Sequence, residues 1–84
     1  MKTDDPYAEQ AWAFLQAFGG AENIDLINNC ATRLRVTVKD EAKVAKDAVF
    51  KAAKAHGVVR NGKAFQVIVG LTVPQVRESF ESMM

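Results

Sequence analysis

Hydrophobic and polar positions change period several times along this chain, and each change marks an element. Ala11, Phe14, Leu15 and Phe18 fall at i, i+3, i+4 and i+7, one face of a helix. Asp5 before Pro6 reads as its N-cap with proline in the first turn. Gly19-Gly20 ends it, because glycine readily takes the left-handed C-cap conformation. The pattern predicts a helix over 6–18, with Trp12 and the phenylalanines in the core. Ile24, Leu26 and Ile27 among Asp25, Asn28 and Asn29 then predict a short strand ending in a polar turn, Asn28-Asn29-Cys30-Ala31-Thr32. From 33 to 38 the alternation is strict, with Leu34, Val36 and Val38 on one face and Arg33, Arg35 and Thr37 on the other. That is a half-buried strand with arginines on its exposed side, joined to the first as an antiparallel hairpin.

Asp40 is placed to cap a second helix whose apolar stripe is Ala45, Ala48, Val49 and Ala52, closed by His56-Gly57. Val58-Val59-Arg60, Asn61-Gly62 and the run Ala64 to Val69 form the strongest hairpin signal. Asn-Gly is the favoured pair of a type I′ turn, in which both central residues need positive φ. Thr72 with Gln75 three residues on reads as a capping box, with Pro74 in the first turn. Val73, Val76, Phe80 and Met83 line the third helix that follows. The order α-β-β-α-β-β-α predicts an α+β fold, a two-layer sandwich with three helices on one face of an antiparallel sheet and the other face open. The open face is the one that carries the arginines.

Composition narrows the function classes. With 84 residues, half of them apolar, the chain suits one packed domain spanning 1–84. No apolar run is long enough to span a bilayer. Met1-Lys2 is followed by Thr3-Asp4-Asp5-Pro6, acidic where a signal peptide would be apolar, so residues 1–5 read as a linker or flexible terminus. A net charge of +1 removes the electrostatic argument for nucleic acid. One cysteine makes no internal disulfide, and one cysteine with one histidine makes no structural zinc site. The expectation is a cytoplasmic domain without metal or cofactor.

Candidate chemistry gathers at 28–35. A lone cysteine is most often a small buried hydrophobe. Cys30, however, stands at a turn among Asn28, Asn29, Thr32, Arg33 and Arg35. Guanidinium charge and turn N–H groups favour the thiolate, so the setting suits a nucleophile. Arg33 and Arg35 project side by side from one strand face, and paired guanidinium forks are what binding a phosphoryl group asks for. The Thr32 hydroxyl either donates to the same oxygens or caps the turn. His56 is the competing nucleophile, but at a helix C-terminus its simplest role is to complement the dipole.

Asn23-Ile24, then Cys30-Ala31-Thr32-Arg33-Leu34-Arg35-Val36, then Asp40 resembles the signature of the enzyme IIB domain of the bacterial phosphoenolpyruvate-dependent sugar phosphotransferase system, glucose family. Gly57-Val58-Val59 and Phe65 to Gly70 also resemble that family's second hairpin, and the similarity covers about residues 7–84. The resemblance implies a four-stranded sheet of order 1-2-4-3. It implies that Cys30 accepts a phosphoryl group from a phosphohistidine of the IIA protein. The group then passes to a sugar held by the membrane-embedded IIC domain, at the inner face of the membrane. Arg33 and Arg35 match the paired arginines, and Thr32, Ala31 and Asn28 fall where phosphate-binding groups are expected. Some relatives have aspartate where this chain has Asn28. The sugar stays open among glucose, maltose and amino sugars. The non-enzymatic alternative is a domain that binds a phosphorylated partner through Arg33 and Arg35, with Cys30 inert.

Overall fold

The computed structural model describes residues 5–84 and contains three helices and four strands. They are α1 (Ala8–Ala17), β1 (Ile24–Asn29), β2 (Arg33–Val38), α2 (Asp47–Ala52), β3 (Gly57–Asn61), β4 (Ala64–Ile68) and α3 (Val73–Ser82). The strands form one antiparallel sheet in the order β1-β2-β4-β3, as the resemblance implies. Strand β2 alternates as its sequence does: Leu34, Val36 and Val38 are buried, Arg35 is exposed and Arg33 half-buried. Phe65 and Val67 of β4 join the same buried layer, against which the helices pack. No helix among the described residues is long and apolar enough to cross a membrane.

Phe18 is the hub of the core. Its ring meets Phe50 of α2 at 4.9 Å, Phe65 of β4 at 5.8 Å and Phe80 of α3 at 6.1 Å, all edge-to-face. Such pairs add about 0.5–1.5 kcal/mol each beyond the area they bury. One residue therefore ties two other helices to the sheet. Gly19 and Gly20 follow with φ of +98° and +87°, the left-handed turn expected of them. A Cβ on Gly19 would also press on Asn23 and Lys43, each 3.1 Å away.

Asn23 accounts for the outer residues of the signature. It is buried, and its Nδ2 donates to the carbonyls of Phe18 (2.7 Å) and Asp40 (2.9 Å). Its Oδ1 accepts the Asp40 N–H at 2.9 Å. Asn23 and Asp40 thus lock the end of α1 to the exit of β2. Theirs is a structural role, away from the chemistry.

Several local expectations are corrected. Asp5 does not cap α1: its carboxylate accepts the Tyr7 N–H and the Ser79 hydroxyl, and the helix begins two residues beyond Pro6. Of the residues expected to form a linker, 1–4 lie outside the described ones. Trp12 is 47% exposed, because it lies about 100° around the helix from Ala11, off the buried face. Asn28 and Asn29 belong to β1, paired with Arg35 and Leu34, so the turn shrinks to Cys30–Thr32. A bulge at Asp25 sends Ile24 and Ile27 inward and leaves Leu26 exposed, which explains three apolar residues without clean alternation.

The second helix departs furthest. Asp40 Oδ1 accepts the Ala42 N–H, but the cap starts only a 3-10 turn over Glu41–Lys43. Extended backbone follows before the six-residue α2. Phe50 is its buried residue, while Ala48, Val49 and Ala52 are exposed. Alanine buries little area, so one phenylalanine sets the helix phase against several alanines. The helix ends at Ala52, and Lys54 takes the left-handed conformation at φ 74°. His56 therefore does not close it; its N–H donates to the Ile68 carbonyl, where β3 begins. In the β3–β4 hairpin Asn61 pairs with Ala64, so the central turn residues are Gly62 and Lys63. Of these only Gly62 has positive φ, the pattern of a type II′ turn rather than type I′. Thr72 precedes α3 without a side-chain cap, so the capping box does not form.

The packing predicts that Phe50→Ala lowers stability by about 3–5 kcal/mol, whereas Val49→Ala changes it by under about 1 kcal/mol. Urea unfolding checks both. Equal losses would return α2 to the alanine-stripe phase.

Candidate functional site

The turn between β1 and β2 is built by backbone. The Cys30 N–H donates to the Arg33 carbonyl at 3.0 Å and closes it. The Thr32 carbonyl accepts both Val69 and Gly70 N–H groups, each at 2.9 Å, which pins the turn to the end of β4. The N–H groups of Ala31 and Thr32 bond no backbone carbonyl of the described residues. The Ala31 N–H is left for an anion beside the sulfur, and the Thr32 N–H acts on the sulfur itself. The Thr32 hydroxyl makes no hydrogen bond within the described residues, so of its two readings turn-capping is not the one observed.

Cys30 is half-exposed, which sets it apart from an inert core thiol. The backbone N–H of Thr32 is the largest influence on its ionisation and holds the thiol below its ordinary value. Partial desolvation opposes this. The Arg33 backbone and the charges of Arg35 and then Arg33 reinforce it. The outcome is a lowered pKa set by hydrogen bonding more than by net charge.

Around the sulfur the sheet supplies a polar face. Arg35 stands between Asn28 of β1 and Gln66 of β4, its direct cross-strand partners. Asn28, Arg35 and Gln66 help line a shallow depression of about 350 Å³. Arg33 Nη1 donates to Gln66 Oε1 at 3.1 Å, which orients one guanidinium. Arg35 makes no hydrogen bond or ion pair with the described residues. Cys30, Ala31, Thr32, Arg33, Arg35 and Asn28 are therefore brought to one end of the open face. His56 is not: it precedes Gly57, which pairs with Ile68, which pairs with Arg33. That places it two strand spacings from β2, about 10 Å.

Two residues at the site were not singled out from the chain. Gln66 was legible by parity, since Phe65 and Val67 face inward and their neighbour must face the arginines. Arg77 of α3 was not. Its Nη1 donates to Asn29 Oδ1 at 2.8 Å, a contact between residues 48 apart that no local pattern announces.

Comparison with known proteins gives a consistent picture. The sequence pattern of the family described as phosphotransferase system, EIIB matches residues 13–44. An alpha-glucoside-specific EIICB component of Fusobacterium mortiferum is 71% identical over 98% of this chain and 16% of its own length. An N-acetylglucosamine-specific EIIB component of Streptomyces coelicolor is 44% identical over 92% of this chain and 99% of its own length. A crystal structure of one domain of the PTS system IIabc component from Clostridium difficile superposes with a TM-score of 0.84 at 31% identity. It covers 98% of this chain and 86% of that one. Against the EIICB relatives with 60–71% identity, the chain spans only 14–16% of their length.

The site's electrostatics give a pH prediction. Because the thiolate is the nucleophile and the pKa is lowered, alkylation of Cys30 by iodoacetamide should reach half its limiting rate below the usual thiol value of about 8.5. Thr32→Ala keeps the N–H and should leave the midpoint unmoved, while Arg35→Gln should raise it. A wild-type midpoint at or above the usual value would contradict the N–H assignment.

Proposed function

The chain belongs to the EIIB family of the sugar phosphotransferase system, and from that membership we propose that Cys30 carries the phosphoryl group between a donor protein and a sugar. The observation that carries this reading is the half-exposed sulfur at the turn, its thiol held below the ordinary value by the Thr32 backbone and by the charges of Arg35 and Arg33. Residues 1–84 act here as one IIB-type domain. The donor is a phosphohistidine of a IIA protein. The acceptor is a sugar hydroxyl presented by a IIC permease domain, with which the EIICB relatives are fused.

In the first half-reaction the Cys30 thiolate attacks phosphorus in line. The S–P bond forms as the P–N bond breaks, and the donor imidazole leaves with the electron pair. In the second, the sugar oxygen attacks, the O–P bond forms, and the S–P bond breaks to return the thiolate. The hydroxyl proton passes to a base in the acceptor complex. A loose phosphoryl transition state needs in-line alignment and charge stabilisation above all. The Ala31 and Thr32 N–H groups and the Arg33 and Arg35 guanidiniums provide that stabilisation on the equatorial oxygens. The Asn28 amide completes the rim in place of a carboxylate. The lowered pKa serves both steps, raising the share of thiolate available to attack and making the sulfur a better leaving group later. A phosphate-binding domain with an inert thiol would not require a half-exposed, N–H-stabilised sulfur.

Incubation with phosphoenolpyruvate, the general phosphotransferase proteins and a IIA domain should add one phosphoryl group, read by intact mass. The bond should be cleaved by thiophilic reagents and absent in Cys30→Ser. Label on His56, or label persisting in Cys30→Ser, overturns the reading.

The arginines should divide the two halves. The donor protein's own site already surrounds the phosphoryl group during acceptance, whereas onward transfer to a neutral hydroxyl depends on this chain's guanidiniums. Arg33→Lys and Arg35→Lys keep charge but lose the fork, so each should slow sugar phosphorylation by roughly 10²-fold and acceptance far less. Alpha-glucosides are the acceptors to try first, since the relatives of 71% and 63% identity are named for them. Equal loss in both halves would show that the arginines act on the thiolate itself.

A further inference from the structure

Arg77 lies on α3 and reaches the last residues of β1. Its Nε pairs with Glu81 at 3.0 Å, while Nη1 donates to Asn29 Oδ1 at 2.8 Å and, at 3.4 Å, to Asn28 Oδ1. Asn29 Nδ2 in turn donates to the Cys30 carbonyl at 3.1 Å. Glu81, Arg77, Asn29 and Cys30 thus form one chain of contacts that ends on the peptide just after the sulfur-bearing residue. That peptide is planar, so a fixed Cys30 carbonyl also fixes the direction of the Ala31 N–H. The Asn28 oxygen is held as well, by the Asn29 N–H at 2.9 Å.

We propose that Arg77 is a positioning residue for phosphoryl transfer: through the Asn29 amide it sets the Cys30–Ala31 peptide plane and so aims the Ala31 N–H at the phosphoryl oxygens. It rests on the reading of Cys30 as the phosphoryl carrier. The charges that act on the sulfur are those of Arg35 and Arg33 on β2. Arg77 is instead neutralised along its own helix by Glu81, and what it delivers to the turn is geometry. Arg77 and Glu81 share one helix, so their ion pair orients the guanidinium and does not itself tie α3 to the sheet. Misplacing a reacting group by about 1 Å can cost as much as 10² in rate, so a modest tilt of one peptide is enough to matter.

The test compares Arg77→Met, Arg77→Lys, Asn29→Ala and the Arg77→Met/Asn29→Ala pair. Arg77→Met should accept phosphoryl roughly tenfold more slowly at saturating donor, with the donor KM and the urea midpoint close to wild type. Arg77→Lys, which retains one donor for Asn29, should recover most of that rate. The double variant should be no slower than the worse single one, because both act through one contact. Additive losses, or a rate loss that tracks lost stability, would overturn the proposal. A second readout needs no phosphoryl donor. The backbone 15N–1H resonances of Ala31 and Thr32 should move in Arg77→Met, and unmoved resonances also overturn it. Wild-type protein that takes no phosphoryl group would instead count against the function of Cys30, and these resonances would still decide the role of Arg77.

Discussion

Strand β2 is hydrogen-bonded on both sides, and its parity decides what each face of the molecule does. Leu34, Val36 and Val38 are almost wholly buried, which commits one face to the helices and turns Arg33 and Arg35 to the other. A slip of one residue would place two guanidiniums under the helices and three aliphatic side chains in water, a change costing many kcal/mol. The neighbouring strands inherit the choice. Pairing with Arg35 brings Asn28 from β1 and Gln66 from β4 onto the arginine face. The sulfur stands at the rim where this strand begins.

Cohesion and chemistry occupy different parts of the same motif. Its ends, Asn23 and Asp40, bond to each other, and Phe18 gathers the aromatic rings of α2, α3 and β4. Its centre is a three-residue turn that the Cys30 N–H closes, while the Ala31 and Thr32 N–H groups bond no backbone carbonyl of the described residues. The turn is still held, through the Thr32 carbonyl on one side and Asn29 on the other. A phosphoryl carrier needs a sulfur that a donor and an acceptor can each reach, with the groups around it already in place. Placement on a pinned rim meets both needs.

Much of this was legible in the chain where one large side chain or a strict alternation dominated. The 33–38 alternation assigned both faces of β2, and the Phe14/Phe18 stripe fixed α1. Cys30 with Arg33 and Arg35 followed from that parity and from the motif. What was not legible depended on competition between weak signals or on distance. The alanine stripe at 45–52 lost to Phe50, since small side chains bury too little to set a phase. Asp40 capped as expected, but a 3-10 turn rather than an α-helix. Asn61-Gly62 signalled its hairpin, yet the register of Asn61 against Ala64 moved the turn one residue on. Arg77 became part of the site only when α3 packed on the edge of β1.

On the proposed function, the Cys30–Thr32 turn is a preformed cradle for a phosphoryl group on sulfur. Its most direct measurement is NMR of the phosphorylated chain, observing phosphorus and the backbone amides together. A phosphorus signal of a phosphothioester, with large downfield shifts at the Ala31 and Thr32 amides and the rest of the sheet unmoved, is the predicted result. Phosphorus on nitrogen, or amide changes spread across the sheet without a focus at this turn, would contradict it.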